Sequence, residues 1–101
     1  MIKNNNRIYI AGKISNIEEE AKIIFDLAER ILSGKHPEAD IINPMRLPHD
    51  HDRTHEAYMK ECLEALAECG TIYLLPNWRD SKGACMEVEF AIRENIKIEL
   101  L

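Results

Sequence analysis

The chain has 101 residues, enough for one domain with a small core, and 46% of them are apolar. A net charge of −5 argues against a surface built for nucleic-acid polymers, though not against a pocket for a single nucleotide. No apolar run approaches the roughly 18 residues of a membrane span, and the opening MIKNNNRIYIAG lacks the long apolar core and cleavage site of a secretory leader. Cys62, Cys69 and Cys85, odd in number and without a C-x-x-C pair, read as reduced thiols of a cytoplasmic protein.

Arg7–Gly12 (RIYIAG) is a short β-rich run closed by glycine. Ile17–Ser33 has the period of an amphipathic helix, with Ile17, Ala21, Ile24, Ala28 and Ile31 on one face. Ser15 and Glu18 form a candidate capping box, and Gly34 is the expected stop. Ala39–Asn43 (ADIIN) is a second strand closed by Pro44. Met45–Arg53 is a loop carrying Pro48 and the run His49-Asp50-His51-Asp52. Thr54–Cys69 is a second helix, with Tyr58, Cys62, Leu66 and Cys69 at helical spacing. Thr71–Leu75 is a third strand, apolar on both faces as a covered central strand should be. Gly83–Asn95 is a third helix, and Ile96–Leu101 a last strand. Strands alternating with helices imply an α/β fold: a four-stranded parallel sheet in flavodoxin-like order 2-1-3-4, with right-handed crossovers and helices on both faces.

Thr71–Ala91 (TIYLLPNWRDSKGACMEVEFA) holds the densest chemistry. In an open α/β sheet, the loop beyond a strand's carboxyl end is where ligands bind. Glu87 lies at the flank of the apolar stripe Ala84, Val88, Ala91. It reads either as an acid complementing the helix dipole or as a carboxylate aimed across the strand ends. Ser81, Lys82 and Gly83 open the same helix and suit a phosphate; Ser81 is equally a good ordinary N-cap. The first helix competes poorly for an anion. Glu18, Glu19 and Glu20 fill its first turn, and Lys13 is the nearby cation. Tyr9 sits between Ile8 and Ile10, either packing or presenting its hydroxyl. Trp78 offers a stacking face for a base or a cover for the sheet end. The loop histidines and aspartates, with His55 behind them, are metal-ligand types. No other segment supplies a matching His or Cys pair, so a polar lid or solvated turn is the expected role and no metal or cofactor is assigned.

Several runs together resemble a known group. YIAGKIS, the NP closing the second strand, YM-x-x-C-L, IYLLP-x-W and S-K-G-A-x-x-E-x-x-x-A resemble a small phage and bacterial domain family of unknown function. That family is similar to the nucleoside 2-deoxyribosyltransferases and the deoxynucleoside 5′-monophosphate N-glycosidases. The resemblance spans Arg7 to about Ile98. It implies that Glu87, of G-x-x-x-E, is a nucleophile attacking the anomeric carbon of a deoxyribose, with a glycosyl-enzyme intermediate as in retaining glycoside hydrolysis. It implies that Tyr9 positions or polarises that carboxylate and that Ser81 helps hold a 5′-phosphate. The enzymes carry an acid for the departing base on the helix before the third strand, where this chain reads Glu61-Cys62. The nucleotide hydrolases carry an arginine after the first strand, near Ser15, and the related small domains usually show Cys-Asp where this chain has Cys69-Gly70. The candidate substrate-binding set is Gly12, Lys13, Asn43, Trp78, Ser81, Lys82 and Gly83, and the ligand a nucleoside or nucleotide. The alternative is a non-catalytic nucleotide-binding module of the same fold. A homodimer or larger assembly through the second helix is the expected state, because Tyr58, Met59, Leu63 and Leu66 spread over more than one of its faces.

Overall fold

The computed structural model describes residues 4–52 and 54–101. Its elements alternate along the chain: β1 (Asn4–Ala11), α1 (Glu18–Lys35), β2 (Asp40–Ile42), α2 (His55–Leu66), β3 (Cys69–Leu74), α3 (Lys82–Arg93) and β4 (Lys97–Leu100). Short 3₁₀ turns occupy Pro44–Arg46 and Trp78–Asp80. The four strands pair in parallel in the order β2-β1-β3-β4, as the alternation of apolar periods predicts.

Strand alternation divides the core into two layers. Ile8 and Ile10 face α1, which buries Ala21, Phe25, Ala28 and Leu32 against them. Tyr9 and Ala11 face the other way, with Ile72 and Leu74 of β3, onto Cys62 and Leu66 of α2 and Ala91 of α3. Phe25 and Leu32 are fully buried; each such side chain contributes about 1.5–3 kcal/mol of transfer free energy. β1 and β3 lie side by side, yet the chain leaves them in opposite directions, β1 toward β2 and β3 toward β4. That is the topological switch point of the sheet, where a crevice opens beyond the strand ends.

Several boundaries differ from expectation for local reasons. The Ser15–Glu18 capping box does not form. Asn16 takes a left-handed backbone (φ 69), which carries Ile17 into the N-cap position with no side-chain cap. Glu18 instead accepts the Asn16 N–H at 2.9 Å. At the other end α1 runs through Gly34 to Lys35, and His36 closes it by donating its N–H to the Leu32 carbonyl at 2.8 Å. Pro37 follows and cannot continue the ladder. The buried stripe of α1 follows Phe25 and Leu32, which leaves Ile31 half-exposed to solvent. α2 ends at Leu66, so Cys69 opens β3 instead of closing the helix. α3 ends at Arg93, before the left-handed Asn95. The loop expected over Met45–Arg53 closes on Arg53, which lies outside the described residues. Among the described residues no helix is long and apolar enough to cross a membrane.

Candidate functional site

Three elements bring polar groups together inside the layer between the sheet and the helices α2 and α3. On α3, Ala84, Glu87 and Ala91 are the buried residues, at i, i+3 and i+7. Glu87 therefore occupies the middle of the buried face, not its flank. On α2 the same spacing buries Met59, Cys62 and Leu66. Tyr9 reaches the pair from β1 and is wholly buried. Its hydroxyl donates a short hydrogen bond to Glu87 Oε2.

This setting changes the protons. Burial pushes the Glu87 carboxyl up to about 7, and the Tyr9 hydroxyl only partly offsets it. Burial, then the Glu87 charge, holds the Tyr9 phenol well above its ordinary range. Burial and the same charge push the Cys62 thiol up to about 12. Among the described residues no cation forms an ion pair with Glu87. The site thus holds a carboxylate that keeps its proton far closer to neutral pH than an exposed one does, beside two groups that keep theirs. A desolvated carboxylate is a strong base and nucleophile, and such perturbed groups cluster at functional sites.

At the switch point the ends of β1 and β3 are stitched together. Leu75 N–H donates to the Ala11 carbonyl at 2.8 Å, and Lys13 N–H to Asn77 Oδ1 at 3.1 Å. A Cβ on Gly12 would lie 2.6 Å from Leu75 Cδ1 and 2.9 Å from Leu75 Cβ, so this approach requires glycine. At the start of α3, Ser81 Oγ accepts the Ala84 N–H at 3.0 Å, as an N-cap does. The Ser81 hydroxyl keeps its own proton to donate. Lys82 is exposed beside it, and a Cβ on Gly83 would come within 3.2 Å of Met59 Sδ.

The remaining candidates are placed differently. Asn43 is buried on the α1 side, where Nδ2 donates to Asp26 Oδ1 and Glu29 Oε1, both at 3.1 Å, and Oδ1 accepts the Met45 N–H at 3.0 Å. Its hydrogen bonds tie the 3₁₀ turn to α1, and it is not brought together with Tyr9 and Glu87. Trp78 is half-buried against the core layer that holds Tyr9, and the Arg79 guanidinium lies 5.4 Å over its ring. A groove of about 600 Å³ between α2 and α3, lined by Met59, Leu63, Met86 and Phe90 among others, does not include Glu87.

Sequence reasoning left open which of Glu61 and Cys62 faces the site and missed the partners of Glu61. Cys62, not Glu61, faces the Tyr9–Glu87 pair. Glu61 points to the opposite flank of α2, where the loop histidines enclose it. The His49 backbone N–H reaches Glu61 Oε2 at 2.7 Å; His49 Nδ1 and His51 Nε2 reach Oε1 at 2.6 and 3.1 Å. Both rings lie edge-on to Tyr58, with centroids 4.9 and 4.7 Å away. Burial raises the Glu61 carboxyl, but the His49 amide and the two rings outweigh it and hold the group below its ordinary value. The loop is therefore packed on α2 and is not a solvated turn.

The fold and the site define a class: a parallel α/β domain with a phenol–carboxylate pair buried beside its switch point. The chain belongs to the family described as Domain of unknown function (DUF4406), whose profile matches residues 6–100. No curated protein matches it.

Proposed function

We propose that this domain cleaves or transfers at the N-glycosidic bond of a deoxynucleoside 5′-monophosphate, with Glu87 as nucleophile. The observation that carries the reading is the burial of Glu87 against the Tyr9 hydroxyl with no cation paired to it among the described residues. Burying an uncompensated carboxylate destabilises a fold, so its presence calls for a use. Glu87 would attack the anomeric carbon as the base departs, and water or a second base would release the sugar from the ester. Tyr9 would steady the carboxylate before attack. Ser81 stands six residues before Glu87, about 9 Å along the helix axis at 1.5 Å per residue, which leaves room for one sugar phosphate between them. The phosphate would lie against Ser81, Lys82 and Gly83, and the base toward Trp78.

One observation favours a second reading. The resemblance places an acid for the departing base on α2, and the group facing Glu87 there is the protonated thiol of Cys62. A nucleotide-binding module of the same fold needs no such acid. Incubation with a panel of nucleosides and deoxynucleoside monophosphates, followed by chromatography for free base, separates the two. Base release that Glu87→Gln abolishes supports the enzyme; tight binding without release supports the module. In either case Ser81→Ala should weaken monophosphates about tenfold, from the loss of a hydrogen bond to a charged group. Nucleosides should be unaffected. Equal weakening of both in calorimetric titration would make Ser81 only a helix cap.

A further inference from the structure

We propose that His49, His51 and Glu61 form a binding site for a divalent transition-metal ion of the zinc class. This stands apart from the reading of Glu87. The three ligand atoms, His49 Nδ1, His51 Nε2 and Glu61 Oε1, all lie within 4.8 Å of one another. In a tetrahedral site with bonds of about 2.0–2.1 Å, ligand atoms stand roughly 3.3 Å apart. Here His49 Nδ1 and His51 Nε2 are 2.6 and 3.1 Å from the same carboxylate oxygen, so adjustments of about 1.5 Å or less complete the triangle. Two imidazole nitrogens and one carboxylate suit zinc, cobalt, nickel or ferrous ions, and disfavour magnesium and calcium, which take oxygen ligands.

The surroundings hold these atoms in place. The second carboxylate oxygen, Oε2, is fixed by the His49 backbone N–H at 2.7 Å, the kind of outer contact that orients a metal-binding carboxylate. The left-handed backbone of His49 (φ 55) turns the loop back so that both its amide and its ring meet α2. Tyr58 sets the planes of both rings. The three side chains are 16–20% exposed, so the site is shielded yet open to a fourth ligand such as water.

The test is calorimetric titration of the chelator-treated full chain with zinc chloride, with cobalt(II) absorbance as a second probe. One zinc ion per chain is expected. His51→Ala and Glu61→Gln should each weaken it by about a hundredfold or more, since loss of outer-shell partners alone typically costs 10–100-fold. His51→Gln keeps an N–H for Glu61 but no imidazole; it should lose zinc while retaining the wild-type circular dichroism. Cys85→Ser and Glu87→Gln should leave the affinity unchanged, and bound cobalt should show visible d–d bands without a thiolate charge-transfer band. Absence of saturable zinc binding would overturn the proposal and leave the cluster as a hydrogen-bonded clasp. So would binding that survives His51→Gln and vanishes in Cys85→Ser.

Discussion

Two carboxylates of this molecule, Glu87 and Glu61, are both drawn away from water, and their protons respond in opposite directions. Glu87 is raised to about 7 with one phenol for company, while Glu61 is held low by an amide and two imidazoles. Burial raises both. What differs is the number of donors aimed at the charge, together with the deeper burial of Glu87. One carboxylate is kept basic; the other is satisfied and kept as an anion.

The largest effect that sharpens this contrast belongs to Glu87→Gln. Shape and the Tyr9 contact persist, the proposed nucleophile is gone, and on that reading base release should fall by several orders of magnitude in a chromatographic assay. An equal rate in the variant would remove Glu87 from the chemistry. The same substitution should act on stability with a sign set by pH. A carboxyl raised from 4.5 to about 7 binds its proton more tightly in the folded chain. Its contribution is fully present below pH 4.5 and is lost as pH rises through about 7. At pH 8 the native state carries nearly the full penalty of the buried charge, on the order of 3 kcal/mol. Glu87→Gln should therefore raise the melting temperature at pH 8 and leave it nearly unchanged at pH 5.

Glu61→Gln should act the other way. It weakens three contacts to a charged acceptor and should destabilise the chain by about 1–3 kcal/mol in urea denaturation at pH 7. A stabilising outcome would erase the distinction between the two acids. The smallest effect is that of Tyr9→Phe. The Tyr9 hydroxyl is what lowers the Glu87 carboxyl; without it the titration should move upward from pH 7 by about one pH unit. Carbon-detected NMR of the Glu87 carboxyl would follow it directly.

The sheet order was legible because it follows from strict periods, two in the strands and 3.6 in the helices; Glu87 read at the flank of its helix's apolar stripe, and its pairing with Tyr9 was implied only by the resemblance. A single rotation decided what was not. Glu61 and Cys62 are consecutive on α2, about 100° apart around its axis, and only the docked helix shows that Cys62 faces Glu87 while Glu61 faces the loop. The His49–Glu61 contact depends on the left-handed backbone at His49, and histidine is not the residue from which such a turn is read. Asn43 closes β2 as expected, but its amide is captured by Asp26 and Glu29 across the turn, a pairing no local pattern encodes. Gly12 closes the first strand and stands in the candidate binding set; in the fold the space beside it is filled by Leu75.

Tyr9 and Glu87 are 78 residues apart in the chain, and this separation ties the site to the order in which the molecule assembles. β1 can pair with β2 early, over a short register, but its other edge waits for β3 and its Tyr9 face waits for α2 and α3. Long-range parallel pairings of this kind form late and slowly. Until α3 docks, Glu87 is an ordinary exposed acid. Any transient lifting of that helix returns it to one, and between about pH 4.5 and 7 each such opening sheds a proton. Alkaline conditions therefore favour a native chain that breathes at α3, the helix that carries Glu87 into the core.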